Sequence, residues 1–372
     1  MDDRAKKLLF LMIGIIGFIV IIFIVALIVG KVSNSSLSYT EIEEKLEEAA
    51  KEYYEDNSEA LPLSEDDKNV EVDVSTLVSG GYLKELSSYQ KDDDVVCDGG
   101  VKVTKTSNYY RYSPYLDCGD EYRTIYLYEK LLDNIVTSGD GLYKTTQYSK
   151  DKQDVTRYIY RGEYVYNYVQ IDDVLWRVVK INEDNTVTLI RAGLVKNELE
   201  KVTWDNRYNI DTKEFDGISD FNASRIRRTL DKYYENFSDD LKTKLVLTTN
   251  CVGHRLRNDA KNDGSIECSE LADSTYVTLL PIYDFINASV DENCKSINDV
   301  SCANYNYLTK FSASWWTLTV NKNINTTAYV INSSPSRVDL NKSHYARMVI
   351  TLNDNVIYTS GSGKKSDPYL VR

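Results

Sequence analysis

Residues 8–30 read LLFLMIGIIGFIVIIFIVALIVG, a run of twenty-three residues without a charged side chain. As an α-helix this stretch would be about 34 Å long, at about 1.5 Å per residue. The hydrocarbon core of a bilayer is about 30 Å thick. The run therefore predicts one N-terminal transmembrane helix, and everything after it is expected on one side of a membrane.

The charges that flank the apolar run indicate its orientation. Three basic residues lie within residues 1–7, whereas only Lys31 follows the run closely, and cytoplasmic flanks carry the excess of positive charge. A cleaved signal peptide is the alternative, but its apolar region would be shorter and a small-residue cleavage site would follow it. We expect a cytoplasmic tail at residues 1–7, an uncleaved signal anchor at residues 8–30 and extracellular domains beyond, as in a single-pass protein of the cell membrane.

Composition limits the partners and the compartment. The chain has 44 basic and 57 acidic residues, a net charge of −13, which argues against nucleic acid as a partner. Six cysteines beyond a membrane anchor suggest disulfides rather than zinc, because the chain has no CxxC motif and only two histidines. The sequence places these cysteines in three close pairs: Cys97 with Cys118, Cys251 with Cys268, and Cys294 with Cys302.

A small α+β domain is predicted at residues 39–125, after a polar spacer at residues 31–38. Thr40 and Glu43 form a capping-box pattern in front of an amphipathic helical pattern. Two strand-like runs then flank Ser107-Asn108. If those two residues form the turn, the residue numbers of any two facing partners add up to 215. Cys97 and Cys118 also sum to 215, so the arithmetic supports a hairpin whose open end a disulfide closes.

This region resembles the pilin-like and pseudopilin-like surface proteins of Gram-positive bacteria. The likeness rests on IEEKLEEAAKEYYEDN, LVSGGYLKEL and the cysteine-closed strand pair, and it covers roughly residues 30–125. The chain departs from the family in two features needed for filament assembly: it lacks the Gly-Phe peptidase site and the glutamate five residues into the apolar run. The resemblance thus implies a pilin-derived module on a plain anchor.

A larger α+β domain is predicted at residues 156–372, after a hydrophilic linker at residues 126–155. Strand patterns at residues 164–171, 175–181 and 186–192 form a meander, and an amphipathic helix follows at residues 222–235 with a cap near Asp220 or Asn222. Later apolar runs predict further strands.

The order of these elements is similar to that of bacterial surface domains with the C-type-lectin-like fold of the formylglycine-generating, or sulfatase-modifying, family. The likeness rests on VLWRVVKINEDNTVTLI, TWDNRY, ASRIRRTLDKYYENF, VTLLPIYDF and SWWTLT, in that order. Enzymes of that superfamily use a cysteine pair near the end of the domain, and no cysteine follows Cys302 here. The resemblance therefore implies a binding surface made of loops, without the oxidase activity.

No residue is predicted to be catalytic and no cofactor or metal ligand is assigned. The acidic turns at residues 92–94, 182–185 and 262–264 are candidates for calcium binding, although none of them has EF-hand spacing. The aromatic candidates for ligand contact are Trp204, Trp315 and Trp316, although core packing is the favoured interpretation of the tryptophan pair.

The leading functional hypothesis is a non-enzymatic binding or adhesion protein, anchored in the membrane of a Gram-positive-type bacterium by its N-terminal helix. Its ligand would be a glycan, a cell-wall polymer or a protein. Two alternatives remain open: a structural subunit of a surface or pseudopilus assembly, and an enzyme, either a wall hydrolase or a formylglycine-type oxidase.

Overall fold

The computed structural model describes residues 36–65, 67, 69–90, 94–194 and 200–372. Two compact units are distinguished. The first contains the described residues up to Leu61, Glu71–Val101 and Pro114–Arg123, and the second contains Pro62–Val70, Lys102–Ser113 and Thr124–Arg372.

The transmembrane helix and the single-pass membrane location predicted above are corrected. Across the part of the chain that the structure describes, no helix is both long and apolar enough to cross a bilayer. The longest described helix has eighteen residues, but glutamate and lysine side chains interrupt its apolar stripe. The predicted span, residues 8–30, lies outside the described residues. What holds of the predicted fold class is its α+β character, with several sheets and short helices.

Helix α1, Tyr39–Asp56, begins two residues earlier than the capping pattern predicts. Ser38 is the N-cap, and its hydroxyl accepts from the Glu41 backbone N–H at 3.3 Å while the Glu41 carboxylate accepts from the Ser38 N–H at 2.7 Å. The predicted partner, Glu43, is instead buried and accepts a hydrogen bond of 3.0 Å from the Tyr122 hydroxyl. The capping-box pattern thus matches both at Ser38 with Glu41 and at Thr40 with Glu43. Because Glu43 is buried, the first pair forms the cap.

The rest of the first unit is organised by a three-stranded sheet of order β1-β2-β3. Its elements are β1 Val70–Asp73, α2 Val74–Ser79, β2 Asp98–Thr106 and β3 Tyr109–Asp117. The turn end of the hairpin, Lys102–Ser113, is assigned to the second unit. Ser107 has the positive φ of 53° that a tight turn needs. The predicted hairpin, its turn at Ser107-Asn108 and its disulfide between Cys97 and Cys118 are confirmed.

The second unit begins earlier than the domain predicted at residues 156–372. The predicted linker carries helix α3, Leu127–Leu132, and strand β4, Gly141–Tyr148, which pairs along its whole length with β5, Asp154–Arg161. Leu127, Leu131 and Leu142 are buried in the core of this unit. In the sequence, short apolar patches separated by polar residues predict a linker here. The three leucines nevertheless pack in the core, so residues 126–155 are part of the second unit.

Two larger sheets build the second unit. The eight-stranded sheet has the order β16-β8-β7-β6-β18-β17, with β5 pairing both β4 and β7, and the five-stranded sheet has the order β14-β13-β12-β15-β9. The strands are β6 Tyr168–Ile171, β7 Val174–Ile181, β8 Val187–Arg191, β9 Lys201–Thr203, β12 Trp315–Val320, β13 Thr327–Asn332, β14 Ser334–Asp339, β15 Ser343–Tyr345, β16 Val349–Leu352, β17 Tyr358–Ser360 and β18 Tyr369–Val371.

The remaining elements frame these sheets: α4 Arg225–Glu235, α5 Asp239–Thr243, the paired strands β10 Thr248–Cys251 and β11 Leu271–Thr275, and α6 Ile282–Asn287. The N-cap of α4 is Ser224, whose hydroxyl accepts from the Arg227 N–H, and not the predicted Asp220 or Asn222. The predicted disulfides Cys251–Cys268 and Cys294–Cys302 are confirmed.

Candidate functional site

The three tryptophans that were candidates for ligand contact are buried. Trp204, Trp315 and Trp316 are 0%, 1% and 0% exposed, and the Trp316 indole N–H donates to the Val202 carbonyl at 2.8 Å. Strand alternation allows one ring of the pair to face solvent, whereas the favoured interpretation is core packing of both. Every residue of β12 is buried because both faces of this strand are covered, and all three rings lie in the core of the second unit.

A cleft with a mixed polar and apolar lining lies between the edge of the eight-stranded sheet and strand β10. Strands β7, β8 and β16 provide one wall, β10 provides the other, and residues 278–284 close it at the bottom. The cleft encloses a volume of about 180 Å³. That volume corresponds to roughly six water molecules, at about 30 Å³ each. The cleft is therefore large enough for one small ring-shaped ligand or for one terminal residue of a larger ligand.

Strand register brings polar side chains into a row across the sheet wall. Thr351 of β16 lies opposite Thr188 of β8, and Thr188 lies opposite Lys180 of β7. Cross-strand neighbours on one face are only about 5 Å apart. These positions lie in strands that are otherwise strongly apolar, so three polar residues side by side mark this part of the sheet as a surface for polar contacts.

A buried ion pair forms the floor of the cleft. The Lys180 ammonium donates to Asp284 Oδ2 at 2.7 Å and contacts the Tyr283 hydroxyl at 3.4 Å. Burial acts to lower the pKa of Lys180, but Asp284 and Tyr283 together outweigh it and hold that pKa above its ordinary value. Burial, followed by the same carboxylate, raises the pKa of the Tyr283 phenol. The floor therefore contains the Lys180–Asp284 ion pair and the Tyr283 phenol.

A second ion pair stands at the side of the cleft. Arg157 of β5 donates to both carboxylate oxygens of Glu183, at 2.8 and 3.1 Å. Burial acts to raise the pKa of Glu183, but the hydrogen bonds from Arg157 prevail and lower it. This bidentate geometry fixes both side chains, and it leaves the arginine held within the protein rather than free for an anionic ligand.

Two oxygen atoms at the cleft have no hydrogen-bond partner in the described protein: the second carboxylate oxygen of Asp284, Oδ1, and the Thr278 hydroxyl. A buried polar atom without a partner costs about 1–3 kcal/mol. Such atoms at the bottom of a cleft are normally satisfied by ordered water or by ligand groups. Both atoms have almost no solvent-accessible surface, so a buried water is the partner expected for each.

The charges around the cleft balance. Three cations and three carboxylates line it, together with six threonines and two asparagines; the charged residues are Lys150, Arg157, Lys180, Glu183, Asp184 and Asp284. Leu247, 40% exposed, provides an apolar patch at the same site. The cleft therefore suits an uncharged ligand that has many hydroxyl groups and one apolar face.

The histidines do not form a catalytic triad among the described residues. The His344 Nδ1 atom lies 2.7 Å from the Ser314 hydroxyl, and the edge of the His344 ring packs against Trp316 at 5.0 Å between ring centroids. No carboxylate hydrogen-bonds His344 within the part of the chain that is described. His254 lies half-buried in the Cys251–Cys268 loop.

The acidic turns weighed for calcium use their oxygens within the chain. Asp184 accepts from the Thr186 N–H at 3.1 Å, and Asp263 accepts from the Ser265 N–H at 2.9 Å. Two of the three aspartates at residues 92–94 lie outside the described residues. No group of three potential metal-ligating side chains occurs in the described ranges.

Sequence reasoning did not find the cleft. Its side chains come from strands and loops between residue 150 and residue 351, and no local spacing relates them. One signal is readable in the sequence: Lys180 lies in a largely apolar strand, and a charged residue at a buried position requires a partner. The partner, Asp284, is more than a hundred residues away.

Comparison with known proteins identifies no relative of this chain. No protein-family model, no curated protein and no solved structure matches the chain. The resemblances to pilin-like proteins and to the C-type-lectin-like fold therefore stay predictions, and the function has to be argued from the site.

Proposed function

We propose that the chain is a non-enzymatic binding protein that takes an uncharged saccharide residue in the cleft between β10 and the eight-stranded sheet. The observation that carries this proposal is the balanced, hydroxyl-rich lining around a volume of about 180 Å³. Sugars have many hydroxyl groups and weakly apolar ring faces, and threonine, asparagine and carboxylate oxygens beside Leu247 match both properties.

The three disulfides support a place of action outside the reducing cytosol. All six cysteines are paired, and structural disulfides persist mainly in oxidising compartments. A surface glycan or cell-wall polymer would be met in such a compartment. Adhesion is one role that terminal-residue recognition would serve.

Binding of the full-length oxidised protein to an array of neutral and acidic glycans tests the proposal. The blocking variant is Leu247→Arg, which places a long charged side chain in the cleft, and the matched control is Leu370→Arg. Both leucines are 40% exposed, and Leu370 lies on β18, away from the cleft. We expect saturable binding that falls at least tenfold in L247R and less than twofold in L370R.

Three outcomes would overturn the proposal. They are an absence of binding to any glycan, an equal loss in both variants, and release of cleaved products from a bound glycan, which would indicate an enzyme. Thermal unfolding of both variants shows whether each remains folded.

A further inference from the structure

A basic groove lies at the edge of the five-stranded sheet, on a chain whose net charge is −13. It runs between helix α4 and strand β9 and encloses about 480 Å³. Its lining contains four cations and no carboxylate: Lys201 on β9, and Arg225, Arg228 and Lys232 on α4. A local excess of positive charge against an acidic background calls for a specific explanation.

Helix α4 separates its charges into two rows. Arg225, Arg228 and Lys232 recur at intervals of three and four residues, so they share one face of the helix. Arg227 points to another row, where it forms an ion pair with Asp231. From Arg225 to Lys232 this row extends about 10 Å along the helix, with Arg228 between its two ends.

The groove cations have no carboxylate partner among the described residues, and all four side chains are exposed. The Lys201 ammonium lies 5.8 Å from the centroid of the Tyr345 ring, which is on the neighbouring strand β15. An exposed ion pair is worth little to stability, but three unpaired like charges on one helix face repel one another. Nothing in the folding of α4 requires this arrangement, so a ligand with several negative charges is its simplest explanation.

Strand β9 gives the groove its second wall. It is the last strand of the sheet and pairs only with β15, where Ser343 lies opposite Thr203 and Tyr345 opposite Lys201. Because side chains alternate along a strand, Lys201 and Thr203 share one face. Hydroxyl and amide groups from Thr203, Asn206, Thr229 and Ser343 therefore lie among the cations.

The lining favours one class of polyanion. Arginine binds sulfate and phosphate oxygens through two parallel N–H groups, and the hydroxyl and amide groups can bond sugar hydroxyls. Single-stranded nucleic acid is bound largely by stacking its bases on a series of aromatic rings. Among the described residues no aromatic residue lines this groove, and the neighbouring Tyr345 ring lies against the Lys201 ammonium. We propose that the groove between α4 and β9 binds an acidic polysaccharide that carries sulfate or phosphate groups along its chain.

This second site is independent of the saccharide cleft, with which it shares no lining residue. It can therefore be tested whatever the cleft binds. The probes are a sulfated polysaccharide such as heparin, a phosphate-bearing wall teichoic acid, an uncharged dextran, a single-stranded oligodeoxynucleotide of matched charge, and inorganic sulfate alone. Affinity is measured by calorimetry on the full-length oxidised protein over a series of salt concentrations.

The test variant is the double charge reversal R228E/K232E, and its matched control is R257E/K365E. Each double variant changes one exposed arginine and one exposed lysine, so the net charge changes equally. We expect affinity for the sulfated or phosphorylated polysaccharide to fall at least tenfold in R228E/K232E, and less than threefold in the control. Each phosphate or sulfate contact contributes nearly one unit to the slope of log affinity against log salt, so that slope should fall by about two.

Lys201→Gln keeps the proposal testable if the double reversal disturbs α4. It changes only the edge strand, and we expect an affinity loss of about threefold with unchanged thermal unfolding. The proposal is overturned by equal losses in the two double variants, by oligodeoxynucleotide binding as tight as that of the acidic polysaccharides, or by the absence of polyanion binding at low salt. Stronger binding to sulfate or to phosphate polymers identifies which of the two groups is preferred.

Discussion

Neutralising Glu267 should destabilise the second unit more than any surface charge change. Glu267 and Arg255 are both 0% exposed and form a bidentate ion pair, with N–O distances of 2.8 and 3.2 Å. Arg255 also donates to the carbonyls of Asp259 and Lys261 and to the Asn262 side chain. The arginine thereby holds together the loop that the Cys251–Cys268 disulfide closes.

The magnitude follows from what Glu267→Gln leaves behind. Removing one partner of a buried ion pair typically costs about 3–5 kcal/mol, because the other charge stays buried without compensation. Arg255 would keep its three bonds to neutral oxygens, so we expect the lower end, about 3 kcal/mol. For a unit of this size each kcal/mol lowers Tm by about 2–4 °C, which predicts a fall of about 6–12 °C.

Urea unfolding and calorimetry of E267Q measure this cost. The control is E163Q, because Glu163 pairs with Lys310 at the surface, where the two side chains are 23% and 52% exposed; its cost should stay below about 1 kcal/mol. Burial raises the pKa of Glu267 in spite of Arg255, which shows that desolvation is the larger effect. The double variant R255M/E267L should therefore be more stable than E267Q.

A cost below about 1 kcal/mol for E267Q would refute this reasoning. So would a loss in R255M/E267L that equals the sum of the losses in the single variants R255M and E267L, because the two groups would then be energetically independent.

Two further predictions concern a disulfide and a histidine. C97A/C118A should lower the free energy of unfolding of the first unit by about 3 kcal/mol, because the bond closes a loop between residues 21 apart; urea unfolding checks this, and an unchanged midpoint would contradict it. Burial, and then Lys201, lowers the pKa of His344, so the folded state binds the proton less well than the unfolded state. Stability should be complete above the ordinary histidine pKa of about 6.5 and decline as pH falls below it. H344Q should flatten this decline in Tm scans from pH 7.5 to 5, and an unchanged decline would show that other groups cause it.

Local patterns predicted the local features well. The hairpin around Ser107-Asn108 and its disulfide depend on contacts within about twenty residues, so turn chemistry and cysteine spacing were sufficient. The first-turn cap of α1 was misplaced by two residues because Ser38 and Thr40 both satisfy the same short pattern, and only the burial of Glu43 separates them.

The long-range features were beyond such patterns. Trp316 lies in a strand covered on both faces, and alternation cannot reveal whether a second layer covers a strand. The cleft depends on Lys180 meeting Asp284 and on Thr188 facing Thr351, pairings that only the sheet order creates. The basic groove could not be predicted from the helix pattern alone, because strand β9 and Lys201 complete it from outside the helix.

Hydrogen exchange of the full-length oxidised protein, with and without the best-binding neutral saccharide, tests whether the cleft is the saccharide site. We expect slower exchange on ligand binding in β10, Thr248–Cys251, and in residues 278–284, with little change in α4. Saturable binding that leaves both cleft segments unchanged, or that protects only other parts of the chain, would contradict the assignment of the cleft as the saccharide site.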